Sequence, residues 1–311
     1  MGLVMRRTVS LLILIGLGVV GLSAETHPRA GTTAMAFLKI GAGARYAALG
    51  DAGAALADDA FAVYWNPARL SEILGRHSLG FQHNAWIAGT AVDEIYYALR
   101  WGRHRFGLSS RLLLTDDIPM RGEIPTEEPV AYFKAYDFFA GVSYAFVPNR
   151  YLAAGLSYRR LYEKIYLDAA YGHSLQAGLE VNLVPSEISF SATADNIGTR
   201  INYGPYYYKQ PTTFSLGGCW RLPWNYKQLR PTLAAVAAKP IDDNWQLRVG
   251  AEVVWRRILA LRLGYKAGHS TEGFGGGLGL SYRLYSIDYA FVPHRYDLGT
   301  SHRLSIGLNL P

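Results

Sequence analysis

After Arg76 the chain repeats one arrangement: stretches of about ten residues in which apolar and polar side chains alternate, separated by turn residues. A period of two sends successive side chains to opposite faces of an extended strand. In Thr213 to Leu222, Phe214, Leu216, Gly218, Trp220 and Leu222 share one face, and Thr213, Ser215, Gly217, Cys219 and Arg221 share the other. The same split separates Leu175, Ala177, Leu179, Val181 and Leu183 from Ser174, Gln176, Gly178, Glu180 and Asn182. It recurs where Trp245, Leu247, Val249, Ala251, Val253 and Trp255 oppose Gln246, Arg248, Gly250 and Glu252, and where Leu304, Ile306, Leu308 and Leu310 oppose Arg303, Ser305, Gly307 and Asn309. Roughly fourteen such segments lie between 77–87 and 302–310, an even number, as a single-chain bacterial barrel requires.

A soluble β-sandwich also alternates, so two further patterns decide between the architectures. Tight connections such as Pro148-Asn149-Arg150 and Pro185-Ser186 take turns with longer ones, Asp116 to Ala131 and Ile197 to Pro211. Short periplasmic turns and long external loops produce this rhythm, with both chain ends periplasmic. Aromatics collect at strand ends: Trp101, Tyr144, Phe146, Trp220, Trp255, Tyr282 and Tyr285 beside the short turns, Trp86 and Trp245 opposite. Amphipathic rings belong at the two interfaces of a bilayer. Only 18% of residues are charged while 13% are aromatic, which fits strands with one face in lipid. The expected fold is an all-β, transmembrane antiparallel β-barrel of about 14 strands, spanning residues 77–311.

The chain opens like an export signal. Arg6 and Arg7 precede an apolar run from Val9 to Leu22, with Ser23-Ala24 offering small residues for cleavage, so residues 1–24 are expected to be removed. The run is shorter than the roughly 20 apolar residues of a membrane helix. Its removal takes away two Arg and lowers the formal net charge from +7 to +5. That excess is spread along the chain, which argues against a nucleic-acid partner. The single cysteine, Cys219, excludes an internal disulfide and a cysteine-based zinc site.

Between them, residues 25–76 read differently. Ala34 to Leu70 is rich in Gly and Ala, which permit close backbone approach, and poor in long side chains that could build a separate core. It suits a plug, with short helices and turns. Asn66 before Pro67 is a helix-start signal, since Asn can cap and Pro tolerates the first helical position. Gly41-Ala42-Gly43 is no dinucleotide fingerprint: Tyr46 stands where the third glycine belongs, and no strand leads into it.

The run GAGARYAALGDAGAALADDAFAVYWNPARL, Gly41 to Leu70, resembles the N-terminal signature of the PorV/PorQ outer-membrane proteins, relatives of the FadL-like hydrophobic-compound transporters. The pieces ALADD, with Asp58 and Asp59, and YWNPA, with Trp65, Asn66 and Pro67, stand at the family's spacing. The resemblance implies a closed barrel with an N-terminal hatch in its lumen. It implies an accessory role in protein secretion or surface attachment of the type IX kind; through the wider FadL-like group it implies hatch-gated transport of hydrophobic small molecules. The chain departs from the pattern at Arg69, where a glycine is common, and in ending Leu310-Pro311 rather than on an aromatic. Arg69 is expected to anchor the hatch to Glu180 or Glu252.

The inward register carries Glu94, Arg100, Arg105, Arg111, Arg159, Glu180, Arg248, Glu252, Arg262, Asp288 and Arg303. These charges either line a selective passage or pair across strands and with Asp51, Asp58 and Asp59 to hold the plug. Gly273, Gly275, Gly277 and Gly279 form an inward wall without side chains, leaving room for the hatch or for a ligand. The histidines lie mainly at strand ends, and HExxH, GxSxG and paired metal-ligand spacings are absent, so neither catalysis, cofactor nor metal is expected. Expected partners are outer-membrane lipid and lipopolysaccharide, with a secretion-system or cargo protein or a hydrophobic ligand as the functional one.

Overall fold

The computed structural model describes residues 27–124, 127–224 and 226–311, and the expected signal segment lies outside them. The first half of the barrel contains β1 His77–Ala85, β2 Thr90–Trp101, β3 His104–Met120, β4 Ala131–Asn149, β5 Leu152–Ile165, β6 Asp168–Val184 and β7 Ile188–Gly198. After a small hairpin, β8 Ile201–Tyr203 and β9 Tyr206–Tyr208, the second half contains β10 Thr213–Arg221, β11 Leu229–Pro240, β12 Gln246–Trp255, β13 Leu259–Ala267, β14 Phe274–Tyr282, β15 Tyr285–Pro293 and β16 Thr300–Leu310. Apart from the hairpin these strands form one closed antiparallel barrel, each paired with its neighbours in order and β10 following β7. Closure is made by β1 against β16, in register from His77↔Leu310 to Ala85↔His302. The fourteen-strand barrel read from the alternation is therefore observed.

Side chains divide as the period of two requires. Leu108, Leu156, Leu216, Leu263 and Leu278 point outward and are more than half exposed, whereas Ser143, Ser157, Gln176, Glu180 and Arg262 on the alternate register are buried. Such a belt of exposed leucine is a liability in water and is expected against lipid. Among the described residues no helix is long and apolar enough to cross a membrane; the spanning elements are strands.

Strands β3 to β6 run to 17, 19, 14 and 17 residues, beyond the roughly 9–11 needed to cross a bilayer. They rise past the others at the long-loop end. The connection expected over Asp116 to Ala131 is consequently shorter, because β3 continues to Met120 through a bulge between Thr115 and Ile118. The connection after β7 is not an open loop either: Ile201 of its hairpin is fully buried, and the Tyr203 hydroxyl donates to Glu163 at 2.6 Å.

The hydrophobic core lies inside the barrel and is built chiefly by the N-terminal segment. Phe37, Leu38, Tyr46, Leu49, Leu56, Phe61, Val63, Trp65 and Leu70 are all buried there. Helices α1 Ala44–Ala48, α2 Gly53–Leu56 and α3 Ala62–Trp65 are each one turn long, and 3-10 turns cover Ala36–Lys39 and Pro67–Glu72. One-turn helices are unstable alone; these are held by the wall. Helix α1 packs on β14, β15 and β16, and α2 on β7 and β10.

Candidate functional site

Arginines of the wall reach the backbone of the N-terminal segment. Arg111 of β3 donates to the carbonyls of Phe37 at 3.0 Å and Ile40 at 2.7 Å, while its guanidinium pairs with Glu94 and sits 4.4 Å from the Tyr64 ring centre. Arg159 of β5 donates to Tyr64 O at 3.0 Å and to Gln176 Oε1 at 2.7 Å, and Arg303 of β16 to Gly41 O at 2.8 Å. Arginine suits this work because its planar fork offers five fixed donors and stays charged when buried. Short helices leave carbonyls unpaired at their ends. The wall arginines reach such groups within the first 3-10 turn, in the irregular stretch just after it and in the last turn of α3.

The segment answers with ion pairs of its own. Asn66 caps the 3-10 turn as its sequence position implies, its Oδ1 accepting from Ala68 N at 3.0 Å behind Pro67. That turn presents Arg69, which donates to Ala57 O at 2.8 Å and Ser189 Oγ at 3.1 Å and pairs with Glu180, both partners fully buried. Of the two anchors anticipated for Arg69, Glu180 is the one used. Glu252 receives the Nε and NH2 of Arg45 at 3.0 and 2.9 Å, and Arg262 at 2.6 Å; Arg262 continues to Asp288 at 2.6 Å. Lys266 of β13 bridges Asp51 of the segment and Glu272 of the wall.

Asp58 and Asp59 are neighbours with opposite electrostatics. Burial disfavours the Asp58 carboxylate, but Arg45 and Arg221 outweigh it and hold the group down at about 2. At Asp59 burial dominates, with Asp58 adding repulsion against the attraction of Arg45, and the carboxyl is pushed up to about 6. Asp59 does not join the wall arginines as its sequence position suggested; it turns back to accept from Phe61 N at 2.9 Å. Trp65 is likewise internal, donating from Nε1 to Ala42 O at 2.8 Å.

The glycine wall is occupied by protein. An added Cβ at Gly275 would lie 2.8 Å from Ala47 O, and one at Gly277 2.6 Å from Ala48 Cβ, so α1 fills the room that β14 leaves. The other two glycines differ from expectation. Gly273 lies just before β14, beside Arg295, and Gly279 makes space for the Arg262–Asp288 pair. Arg248 donates to Gln246 Oε1 at 2.8 Å, and Arg100 is exposed at the end of β2. Trp86 sits edge-on to His294 with centres 4.9 Å apart, and the Arg303 guanidinium lies 5.2 Å from its ring, so it meets the lumen mouth instead of lipid.

Lys266 with Asp51, Arg45 with Glu252, Glu72 with Arg221 and Gln176 with the Tyr64 carbonyl make further contacts between segment and wall that the sequence did not single out. For Lys266 the signal was present: it continues the inward register of Arg262 and Gly264, two residues at a time. Two cavities flank the segment. One of about 600 Å³ opens at the long-loop end, lined by Phe37, Ile40, Leu113, Asp242 and Glu272. One of about 590 Å³ opens at the short-turn end, lined by Arg45, Asp58, Arg221, Trp224 and Glu252. Among the described residues no cluster of His, Cys, Asp and Glu could hold a metal ion.

A family model for the type IX secretion system protein PorV matches residues 23–225. The chain belongs to the PorV family. No curated protein sequence matches it. In fold it is similar to the toluene transporter TbuX of Ralstonia pickettii, at 14% identity over 86% of this chain and 97% of that one, with a TM-score of 0.56. It is also similar to the toluene transporter TodX of Pseudomonas putida (13% identity, 86% and 96% covered, TM-score 0.59) and to a Pseudomonas aeruginosa FadL homologue (12%, 86% and 98%, TM-score 0.51). This PorV-family barrel is a bacterial outer-membrane protein, and the proteins it resembles are of a non-enzymatic kind.

Proposed function

We propose that this PorV-family protein is a non-enzymatic accessory barrel of type IX-like protein secretion, and that residues 27–76 serve as a hatch held shut in its lumen. The family match carries the first part. The second is supported by the fully buried Arg69–Glu180 pair and the Arg111, Arg159 and Arg303 bonds to segment carbonyls. In this reading the lumen charges Arg111, Glu180, Arg248, Glu252, Arg262 and Arg303 are structural ties and do not select a solute. A secretion or cargo protein is engaged at the rim raised by β3 to β6 and the β8–β9 hairpin, where Tyr206 and Tyr207 are exposed. Deleting the gene and following exported proteins tests this: cargo should accumulate in the periplasm and vanish from the surface and medium.

One observation favours a second reading, transport of a hydrophobic small molecule. The cavity at the long-loop end has a partly apolar floor, Phe37 and Ile40, provided by the hatch itself. Under that reading the deletion strain exports its cargo normally and loses uptake of an apolar compound.

A further inference from the structure

The outer face of β4 to β6 carries a feature that neither the hatch nor the rim uses. A groove of about 490 Å³ is sunk into the lipid-facing surface, walled by Tyr144, Leu156, Tyr158, Leu175 and Ile197 over the small Ala177. Its depth follows from Ala177 standing between larger neighbours where the β6–β7 register shifts between Leu175 and Ala177. Directly above, one residue pair further toward the long-loop end, the outward register changes from apolar to basic. Arg160 stands opposite Ala140 on one side and His173 on the other.

These groups are tied to the groove. Arg160 donates to His173 Nε2, which leaves Nδ1 carrying the proton toward the Tyr158 hydroxyl 2.5 Å away, and Tyr158 is a groove wall. The Arg160 guanidinium also lies 5.4 Å from the Tyr171 ring centre, and Lys164 Nζ 6.0 Å from that of Tyr136. Tyr136, Tyr162 and Tyr171 form a row across the three strands, with centres 5.6 and 4.9 Å apart. Two neighbouring acids are engaged elsewhere. Asp116 pairs with Lys134 at 2.8 Å, and Glu163, on the inner face, accepts from Tyr203. Among the described residues neither Arg160 nor Lys164 has a carboxylate within ion-pair distance.

Eight residues of β5 separate Leu152 near the short turn from Arg160. At about 3.4 Å per residue and the usual tilt this is about 20 Å of height, close to the top of the roughly 25 Å apolar band of an outer-membrane barrel. An apolar slot in the membrane whose upper rim carries cations that no carboxylate among the described residues neutralises matches one kind of molecule. We propose that the face of β4 to β6 binds a phosphorylated glycolipid of the outer leaflet, one acyl chain in the groove and a headgroup phosphate on Arg160 and Lys164. Phosphate oxygens are strong acceptors for both side chains, and the tyrosine row supplies the interfacial aromatic surface.

The test uses full-length folded protein in detergent, mixed with bisphosphorylated lipid A or its phosphate-free form and read by native mass spectrometry. The wild type should retain one lipid A and bind the phosphate-free form at least about tenfold more weakly. Arg160→Ala with Lys164→Ala should give a similar loss, and Ala177→Phe, which fills the groove without touching charge, should also lose lipid. Lys239→Ala, on a distant strand, should bind as wild type. Heat-modifiable migration on a gel confirms that each variant is a folded barrel; should one fail to fold, the other still tests the site. Equal retention by wild type and either folded site variant, equal binding of the phosphate-free lipid, or preference for a glycerophospholipid would overturn the proposal.

Discussion

Arg69 shows what a single residue does when neither of two buried charges can reach water. Its pairing with Glu180 offsets a desolvation cost that neither partner could bear alone, and removing one partner of such a pair typically costs about 3–5 kcal/mol. Arg69→Ala should therefore loosen the segment, giving higher or noisier conductance in planar bilayers and a lower unfolding temperature. Conductance unchanged from wild type counts against its role as a tie. Joint replacement, Arg69→Met with Glu180→Leu, should recover much of the loss. Asp58 and Asp59 give the segment a pH dependence with two signs. Asp58, lowered to about 2, contributes stability that is complete above its unfolded value of 3.8 and is lost as pH falls through about 2. Asp59, raised to about 6, holds its proton more tightly in the folded state, so its ionisation weakens packing as pH rises from 3.8 through about 6. Asp59→Asn should remove that fall, which unfolding temperatures at pH 4.5 and 7.5 would reveal; an identical decline in the variant contradicts it. The sequence made Arg69 and its carboxylate partner readable because an arginine where small residues dominate must find a charge. It could not choose Glu180 over Glu252, since that depends on which strand faces the 3-10 turn.

Among the elements, strand β14 and helix α1 are made for each other. Two inward glycines, Gly275 and Gly277, give β14 a bare face, and Ala47 and Ala48 give α1 a side that fits it. Gly277→Leu should expel or displace α1, lowering the unfolding temperature and raising conductance, whereas Gly276→Leu, one residue away and facing outward, should do neither. Matching behaviour of the two variants would show that the wall does not seat the helix. The strands themselves were legible because a period of two over ten residues is a strong signal, and their bounds moved by only a few residues at most ends. Their extension in β3 to β6 was not, because the outward register there continues through Tyr136, Tyr162 and Tyr171 without marking where lipid stops. The short helices could be anticipated only as irregular structure, for one turn of helix carries no periodicity.

As a whole the molecule is a membrane barrel turned inside out relative to a soluble β protein: apolar residues outside against lipid, charges on the inner wall, and a small apolar core built from its own N-terminus. That inversion was readable from alternation, turn rhythm and the Gly/Ala-rich segment taken together. What the barrel engages was not, because the proposed docking place is the rim, where the chain leaves the register that made everything else legible. The central claim is that the barrel is held shut and works through a protein partner. Native mass spectrometry of the protein extracted gently from its own outer membrane tests this most directly. A stoichiometric secretion or cargo protein bound to the intact barrel is the predicted result; a copurifying fatty acid or similar apolar compound in the lumen, with no protein bound, would contradict it.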